Sequence, residues 1–391
     1  MVGPPTNPFR FGSLALDDAF ADRDRELAEL VADVRNGQDV VIFAPRRYGK
    51  SSLVWRAVQE LLGAGVLVAQ VDLMTTPTKE RLAEKLAASI FENIASPLER
   101  VRERALAPFR GLRIQPTVTV SPDDGSFTFT FATSQQAADL DATLERLLAL
   151  PAELGAARGR RVALILDEFQ EVVELDKALP RLLRAVFQQQ PEVAHVYLGS
   201  RRHVMERIFS DENEPFWRSA KPIELGRIEP ELFADFSRER FRASGRRLGA
   251  KVAAEALRRT RGHPYATQEL CYFLWEETPP GAEAGAAELE RALTAVLRSE
   301  HAHFSLLWDA ASAVQRLLLQ ALSSQQPGRP FTIEYRRRHG LPSASNLQRA
   351  ARALVEREVI VGDGGSYEIA EPFLAEWIRV NISGSELDLR R

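Results

Sequence analysis

Cysteine is almost absent from this chain: Cys271 is the only one in 391 residues. No internal disulfide and no thiolate-bound zinc can form, which fits a reducing compartment. Long apolar runs are missing too, none reaching the roughly 18 residues of a membrane-spanning helix, so no membrane role is expected. The opening Met1-Val2-Gly3-Pro4-Pro5 lacks a basic-then-apolar leader, and a cytoplasmic location is expected. Charge of one sign is also lacking. The net charge of −3 gives no bulk attraction for nucleic acid, so any basic surface must be local. Only six of the 51 basic residues are lysine. The six histidines are scattered without metal-ligand spacing, and His301-x-His303 has no third partner in sequence. What remains is ordinary for a soluble globular chain: 45% hydrophobic and 27% charged residues, enough for two or three domains.

The most informative stretch runs from Val40 to Ser52. An apolar run, Val40–Phe43, leads into Ala44-Pro45-Arg46-Arg47-Tyr48-Gly49-Lys50-Ser51-Ser52, and an amphipathic stretch, Leu53–Leu62, follows. This is the strand–loop–helix context of a phosphate-binding P-loop. Backbone amides of such a loop and the helix N-terminus behind it make a concave anion site. Lys50 would reach the β- and γ-phosphates, and the Ser51 hydroxyl would sit on Mg²⁺. Ala44 replaces the first glycine of the usual pattern. Arg46 and Arg47 face either phosphate, a neighbouring subunit or solvent.

About 115 residues on, Val162-Ala163-Leu164-Ile165-Leu166 ends in Asp167-Glu168. Five apolar residues in a row predict a strand buried on both faces of a parallel sheet. Its carboxyl end is where ligands of such sheets bind. Asp167 suits the Mg²⁺-holding acid, and Glu168 suits the base that polarises an attacking water. The chain has no Asn-Lys-x-Asp guanine signature, which favours ATP/ADP over guanine nucleotides.

Alternating apolar strands and helices predict a doubly wound α/β sheet. Strands are expected at 39–43, 66–73, 162–166 and 193–198. A first helix starts near Asp22, a long one spans 78–104, and others span 137–154 and 178–189. Between them, Thr117–Val120 and Ser126–Phe131 flank Pro122-Asp123-Asp124-Gly125 and predict a β-hairpin inserted at about 113–133. From Glu229 the strand signals stop and helices follow at 230–244, 251–260, 264–275 and 286–299. Helices at 311–322, 333–339 and 344–357, a hairpin turning at 362–365, and a helix at 373–380 form a winged-helix pattern. The expected division is a core at 1–227, a helical lid at 228–300 and a winged helix at 301–391.

Together these motifs resemble the archaeal-type P-loop ATPases of the Orc/Cdc6-like AAA+ and STAND groups. The resemblance implies an α/β P-loop core, an all-α lid and a C-terminal winged helix, with ATP and Mg²⁺ as ligands. Asn7-Pro8-Phe9, with Phe20-Ala21-Asp22-Arg23, is similar to that family's adenine-side motif, which implies roles for Pro8, Phe9 and Arg23. Leu198-Gly199-Ser200-Arg201 resembles its sensor strand, with Ser200 as the polar reader; turn capping is the plainer alternative. Arg218 stands where such proteins often carry an arginine finger, and a surface salt bridge is the competing reading. Gly262-His263-Pro264-Tyr265 resembles the lid motif that nears adenine, which implicates His263 and Pro264. The same residues would also stop one helix and start the next.

In the winged helix, Ala344–Arg357 is the candidate recognition helix, with Asn346, Arg349 and Arg352 for groove contacts. Arg336-Arg337-Arg338 is the candidate phosphate contact. Against DNA, residues 331–391 hold nine arginines and nine acidic residues, so counterion release gives little drive. Double-stranded DNA and a protein partner both stay open, as does a homo-oligomer. The expected activity is Mg²⁺-dependent ATP hydrolysis; the alternative is a slow or non-hydrolysing nucleotide-gated switch.

Overall fold

The computed structural model describes residues 6–12, 20–21, 23–94, 109–120, 127–131, 137–363 and 365–383. Asp22, residues 95–104 of the expected long helix, the turn 122–125 and Gly364 lie outside them. The chain separates into two bodies. One comprises Asp24–Pro45 and Lys50–Leu225; the other comprises Met1–Arg23, Arg46–Gly49 and Gly226–Arg391.

In the first body, largely apolar runs form a five-stranded parallel sheet. Its strands are β1 (Val40–Phe43), β2 (Leu67–Asp72), β5 (Val162–Asp167), β6 (Val193–Gly199) and β7 (Lys221–Glu224), in the order β2-β5-β6-β1-β7. A second, separate pair is β3 (Pro116–Val120) with β4 (Phe127–Phe131), the expected antiparallel hairpin. Strand side chains alternate between the two sheet faces. Leu67, Ala69, Val71, Leu164 and Leu166 share one buried cluster with the helices Lys79–Asn93 and Ala137–Arg158. The hairpin joins this cluster through aromatic packing: Phe129 lies 5.3 Å from Phe91 and 5.1 Å from Phe109, ring centre to ring centre. The helix Lys50–Gly63 packs with Asp24–Arg35.

Strand β7 was not expected. Its Lys-Pro-Ile-Glu sequence carries a proline, which is tolerated here because β7 is an edge strand paired only with β1. The helix expected to stop at Leu154 continues through Pro151 to Arg158.

The second body begins with the helices Pro230–Ala243, Ala250–Thr260, Pro264–Glu277 and Ala286–Ser299. A two-residue parallel ladder, β8 (Arg247–Leu248) with β9 (Glu283–Ala284), ties their loops together. Strands this short leave no periodicity to read. The helix His301–Asp309, also unexpected, leads into Ala313–Ser324, whose Ser312 and Gln315 form a capping box. Ile333–His339 and Ala344–Glu356 follow, then the antiparallel wing β10 (Ile360–Asp363) and β11 (Ser366–Ile369), and the helix Pro372–Ile378. One apolar cluster runs through this whole body, from Leu270 and Val296 to Leu322, Leu354 and Trp377. The N-terminal segment joins it: Phe9 is buried 5.4 Å from the Phe241 ring, and the Asn7 amide donates to Tyr272 O.

Candidate functional site

Strands β2 and β5 pair in register, and both end in an aspartate, Asp72 beside Asp167. The helix Lys50–Gly63 opens with Lys50 and Ser51. Lys50 is 8% exposed, and its ammonium lies 2.8 Å from Asp167 Oδ1 and 2.9 Å from Glu168 Oε1. Glu168 adopts a left-handed backbone, φ 51°, an unusual state for a residue with a side chain. The Ser200 hydroxyl donates to Glu168 Oε2 at 2.8 Å, and the Gln170 amide donates to the same oxygen. Ser200 follows β6, where Gly199 packs so closely that an added Cβ would lie 2.6 Å from Gln170 Oε1.

Burial alone would raise the Glu168 carboxyl. The Lys50 charge and the hydrogen bonds from Lys50, Gln170 and Ser200 outweigh burial and hold it at about 2. Asp72 is shifted the other way. Burial pushes it up and the charges of Asp167 and Glu168 add to that, against a hydrogen bond from the Met74 amide and the charge of Lys50. Ser51, Asp167 and Asp72 are oxygen donors only, the donor chemistry that suits Mg²⁺. A divalent ion would also relieve the crowded acids, so these residues fit the metal.

The rest of the loop, Arg46–Gly49, belongs to the second body. There Arg46 Nε pairs with Glu358 at 2.6 Å and Arg47 Nη1 with Glu371 at 2.7 Å. Arg47, at φ 66°, lies 4.3 Å from the Tyr265 ring centre, and Tyr48 meets the His263 ring edge-on at 4.7 Å. Both arginines are exposed residues that nevertheless carry a carboxylate partner. Gly49 turns through φ 85°, a conformation glycine adopts freely. Ala44 and Ser52 are buried and Ser51 is exposed; Pro45 is half-buried.

His263 starts the helix Pro264–Glu277: its Nδ1 accepts from the Ala266 amide at 3.3 Å, and Pro264 fills the first turn. Burial, with the charges of Arg227, Arg261 and Arg47, lowers its imidazole to about 3, so it is neutral. Arg23 is buried and donates to Gly226 O. Pro8 is half-buried beside the buried Phe9. Arg218 is exposed, 5.5 Å from the Trp217 ring centre, and among the described residues it pairs with no carboxylate.

In the winged helix, Ala344–Glu356 buries Leu347, Ala350, Ala351 and Leu354 and exposes Asn346, Arg349 and Arg352. Arg337 and Arg338 are exposed, while Arg336 is half-buried with its Nε enclosed. The domain's even charge balance hides a segregation. Glu358, Glu368, Glu371 and Glu376 pair with arginines of other segments of this body, including Arg227, Arg261 and Arg259.

Sequence reasoning missed Asp72, although a buried strand ending in Asp is the same signal that found Asp167. It also missed Gln170, for which no pattern exists. His301 accepts from the Trp377 indole at 3.0 Å, and His303 does have partners, Glu300 and Glu371, with all their ligand atoms within 4.8 Å. Glu300 is three residues from His303, but Glu371 comes from a distant segment and leaves no spacing to read.

Residues 20–270 match the family described as an ATPase domain predominantly from Archaea, and residues 302–380 match a probable winged helix domain. A comparison with curated proteins finds no match. Among solved structures, the chain is similar to the Walker-type ATPase of Pyrococcus abyssi, at 16% identity and a TM-score of 0.64, over 93% of this chain and 97% of that one. It is also similar to the ORC2 protein of Aeropyrum pernix in its ADPNP–ADP complexes, at 13% identity and a TM-score of 0.53, over 97% and 99% of the two chains. The family match covers more than half of the sequence, and these likenesses extend the fold through the winged helix. The chain belongs to the ATPase family found predominantly in Archaea, with a C-terminal winged helix.

Proposed function

We propose that this chain is an ATP-binding, Mg²⁺-dependent ATPase. Its nucleotide state would control how the lid, 228–300, and the winged helix, 301–391, are presented by the core, 1–227, to DNA or to a protein partner. The observation that carries this reading is the buried contact of Lys50 with Asp167 and Glu168. An ammonium between two carboxylates is poised for exchange: a triphosphate draws Lys50 away and leaves Glu168 to polarise water. Loss of the lysine charge then lets the Glu168 carboxyl rise toward a useful basicity, while Ser200 and Gln170 keep it oriented. Ser51, Asp167 and Asp72 would hold Mg²⁺, which when bound offsets phosphate charge. The neutral imidazole of His263, with Pro264, Pro8, Phe9 and Arg23, would shape the adenine side. Exposed Arg218 would reach the phosphoryl group of a neighbouring copy in a homo-oligomer.

Calorimetry tests the reading. Lys50→Ala is expected to abolish ATP binding, whereas Glu168→Gln keeps binding and stops phosphate release. A Gln variant that turns over at the wild-type rate overturns the assignment of the base.

The slow or non-hydrolysing switch is favoured by one observation: Glu168 is engaged by Lys50, Ser200 and Gln170, and a carboxylate so engaged is a poor base. Purified protein carrying ADP without steady-state phosphate release would select that reading.

A further inference from the structure

The lid and winged-helix residues contain a socket for a cation. Glu300, His303 and Glu371 bring one ligand atom each within 4.8 Å of the others. The Tyr265 hydroxyl reaches Glu300 at 3.4 Å. Glu269 is 1% exposed and leaves Oε1 without a hydrogen-bond partner. The cation this socket holds is on the same chain: the Arg47 guanidinium, 2.7 Å from Glu371 and stacked on Tyr265.

A second carboxylate takes the adjacent arginine. Glu358 accepts from Arg46 at 2.6 Å, with the Glu358 side chain 17% exposed. Both acids sit where the backbone is fixed. Glu371 precedes Pro372 at the start of the last α-helix, and Glu358 holds φ 57° just after Ala344–Glu356. They are positioning groups: neither need touch nucleotide, but each fixes a residue of the phosphate-binding loop. Tyr48, between that loop's arginines and its glycine, is fixed as well, against His263.

We propose that Glu358 and Glu371 clasp the P-loop through Arg46 and Arg47 in competition with nucleotide phosphate, so that nucleotide binding and the clasp oppose each other. This rests on the nucleotide reading above. Arg47 is three residues from Lys50, within about 11 Å along even a fully extended backbone, so phosphate gripped by Lys50 lies in reach of an arginine side chain. A guanidinium engaged with a carboxylate is lost to a phosphate, and the reverse holds too. By linkage the antagonism is reciprocal: whatever the clasp costs ATP affinity, ATP costs the clasp. The pairs of Arg227 and Arg261 with Glu368 involve neither loop arginine, so release would be confined to the loop end of the domain.

The test uses the full chain carrying Glu358→Gln and Glu371→Gln, singly and together, with Glu334→Gln on the same domain as control. Two readouts are taken: amide exchange of residues 46–49 without nucleotide, and the Kd for ATP. The double variant is expected to exchange faster in the loop and to bind ATP about three- to tenfold more tightly, the effect of freeing two partly exposed ion pairs. The control changes neither. Unchanged loop exchange shows that no clasp exists, whatever the nucleotide does. Faster exchange with wild-type ATP affinity overturns the competition. If neither wild type nor variant binds ATP, the nucleotide reading fails and the competition fails with it, while the exchange result still decides the clasp.

Discussion

Asp72 and Asp167 are register partners at the ends of adjacent parallel strands, so two acids share one edge of the sheet. Asp72 also accepts the Met74 amide at 3.0 Å, which Asn can still do. Asp72→Asn should therefore keep the local turn while removing one charge from the proposed metal site. The Mg²⁺ concentration needed for half-maximal phosphate release is expected to rise by about tenfold, the usual scale for a supporting ligand. An unchanged Mg²⁺ requirement would remove Asp72 from the site.

The pH dependence follows from Glu168. Its folded carboxyl is lowered from 4.5 to about 2, so its contribution to stability is complete above 4.5 and is lost as pH falls toward 2. Ser200 donates to the charged form. Ser200→Ala should raise the carboxyl and shift both the acid unfolding midpoint and the acid limb of the rate profile upward by about half to one pH unit. Acid titration by circular dichroism, with a kcat profile, checks the sign; a downward shift contradicts it.

Glu269 has the opposite sign. Burial, and Glu300 beside it, raise its carboxyl above the usual 4.5, so it weakens the fold increasingly as pH rises beyond that value. Glu269→Gln is expected to raise Tm at pH 8 by a few degrees, equivalent to about 1 kcal/mol, and to change little at pH 5. Equal melting curves for the two proteins at pH 8 would show that the carboxyl costs nothing there.

Arg349 and Arg352 project from the exposed face of Ala344–Glu356. If duplex DNA is the partner, changing both to Ala should weaken binding and reduce the slope of log K against log salt by about 2. ATP turnover without DNA should stay as in the wild type. Wild-type duplex binding by the double variant would turn attention to a protein partner.

The parallel sheet was legible because its buried strands carry mostly apolar runs, and Lys50 with Asp167 and Glu168 was legible because the loop and the strand end fix their own chemistry. Strand β7 was hidden by Pro222, which only an edge position tolerates. The ladder β8–β9 was hidden by its two-residue length. The partners of Arg46 and Arg47 were illegible for another reason. They lie more than 300 residues away in sequence, and an ion pair between distant segments imposes no spacing on either. Charge counting is silent in the same region, because a total of nine against nine says nothing about which side each charge faces.

The burial of Phe9 against Phe241 has a practical consequence for dissecting the molecule. Cutting the gene at the span matched by the family, 20–270, would discard the Phe9 ring and Phe11, which sits 6.0 Å from Tyr265. It would also strip the helices that share a buried cluster with Leu248, Ala266 and Leu270. A fragment so trimmed presents raw aromatic surface to water and invites self-association, so loss of solubility in it would report on missing cover and not on a defective catalytic centre.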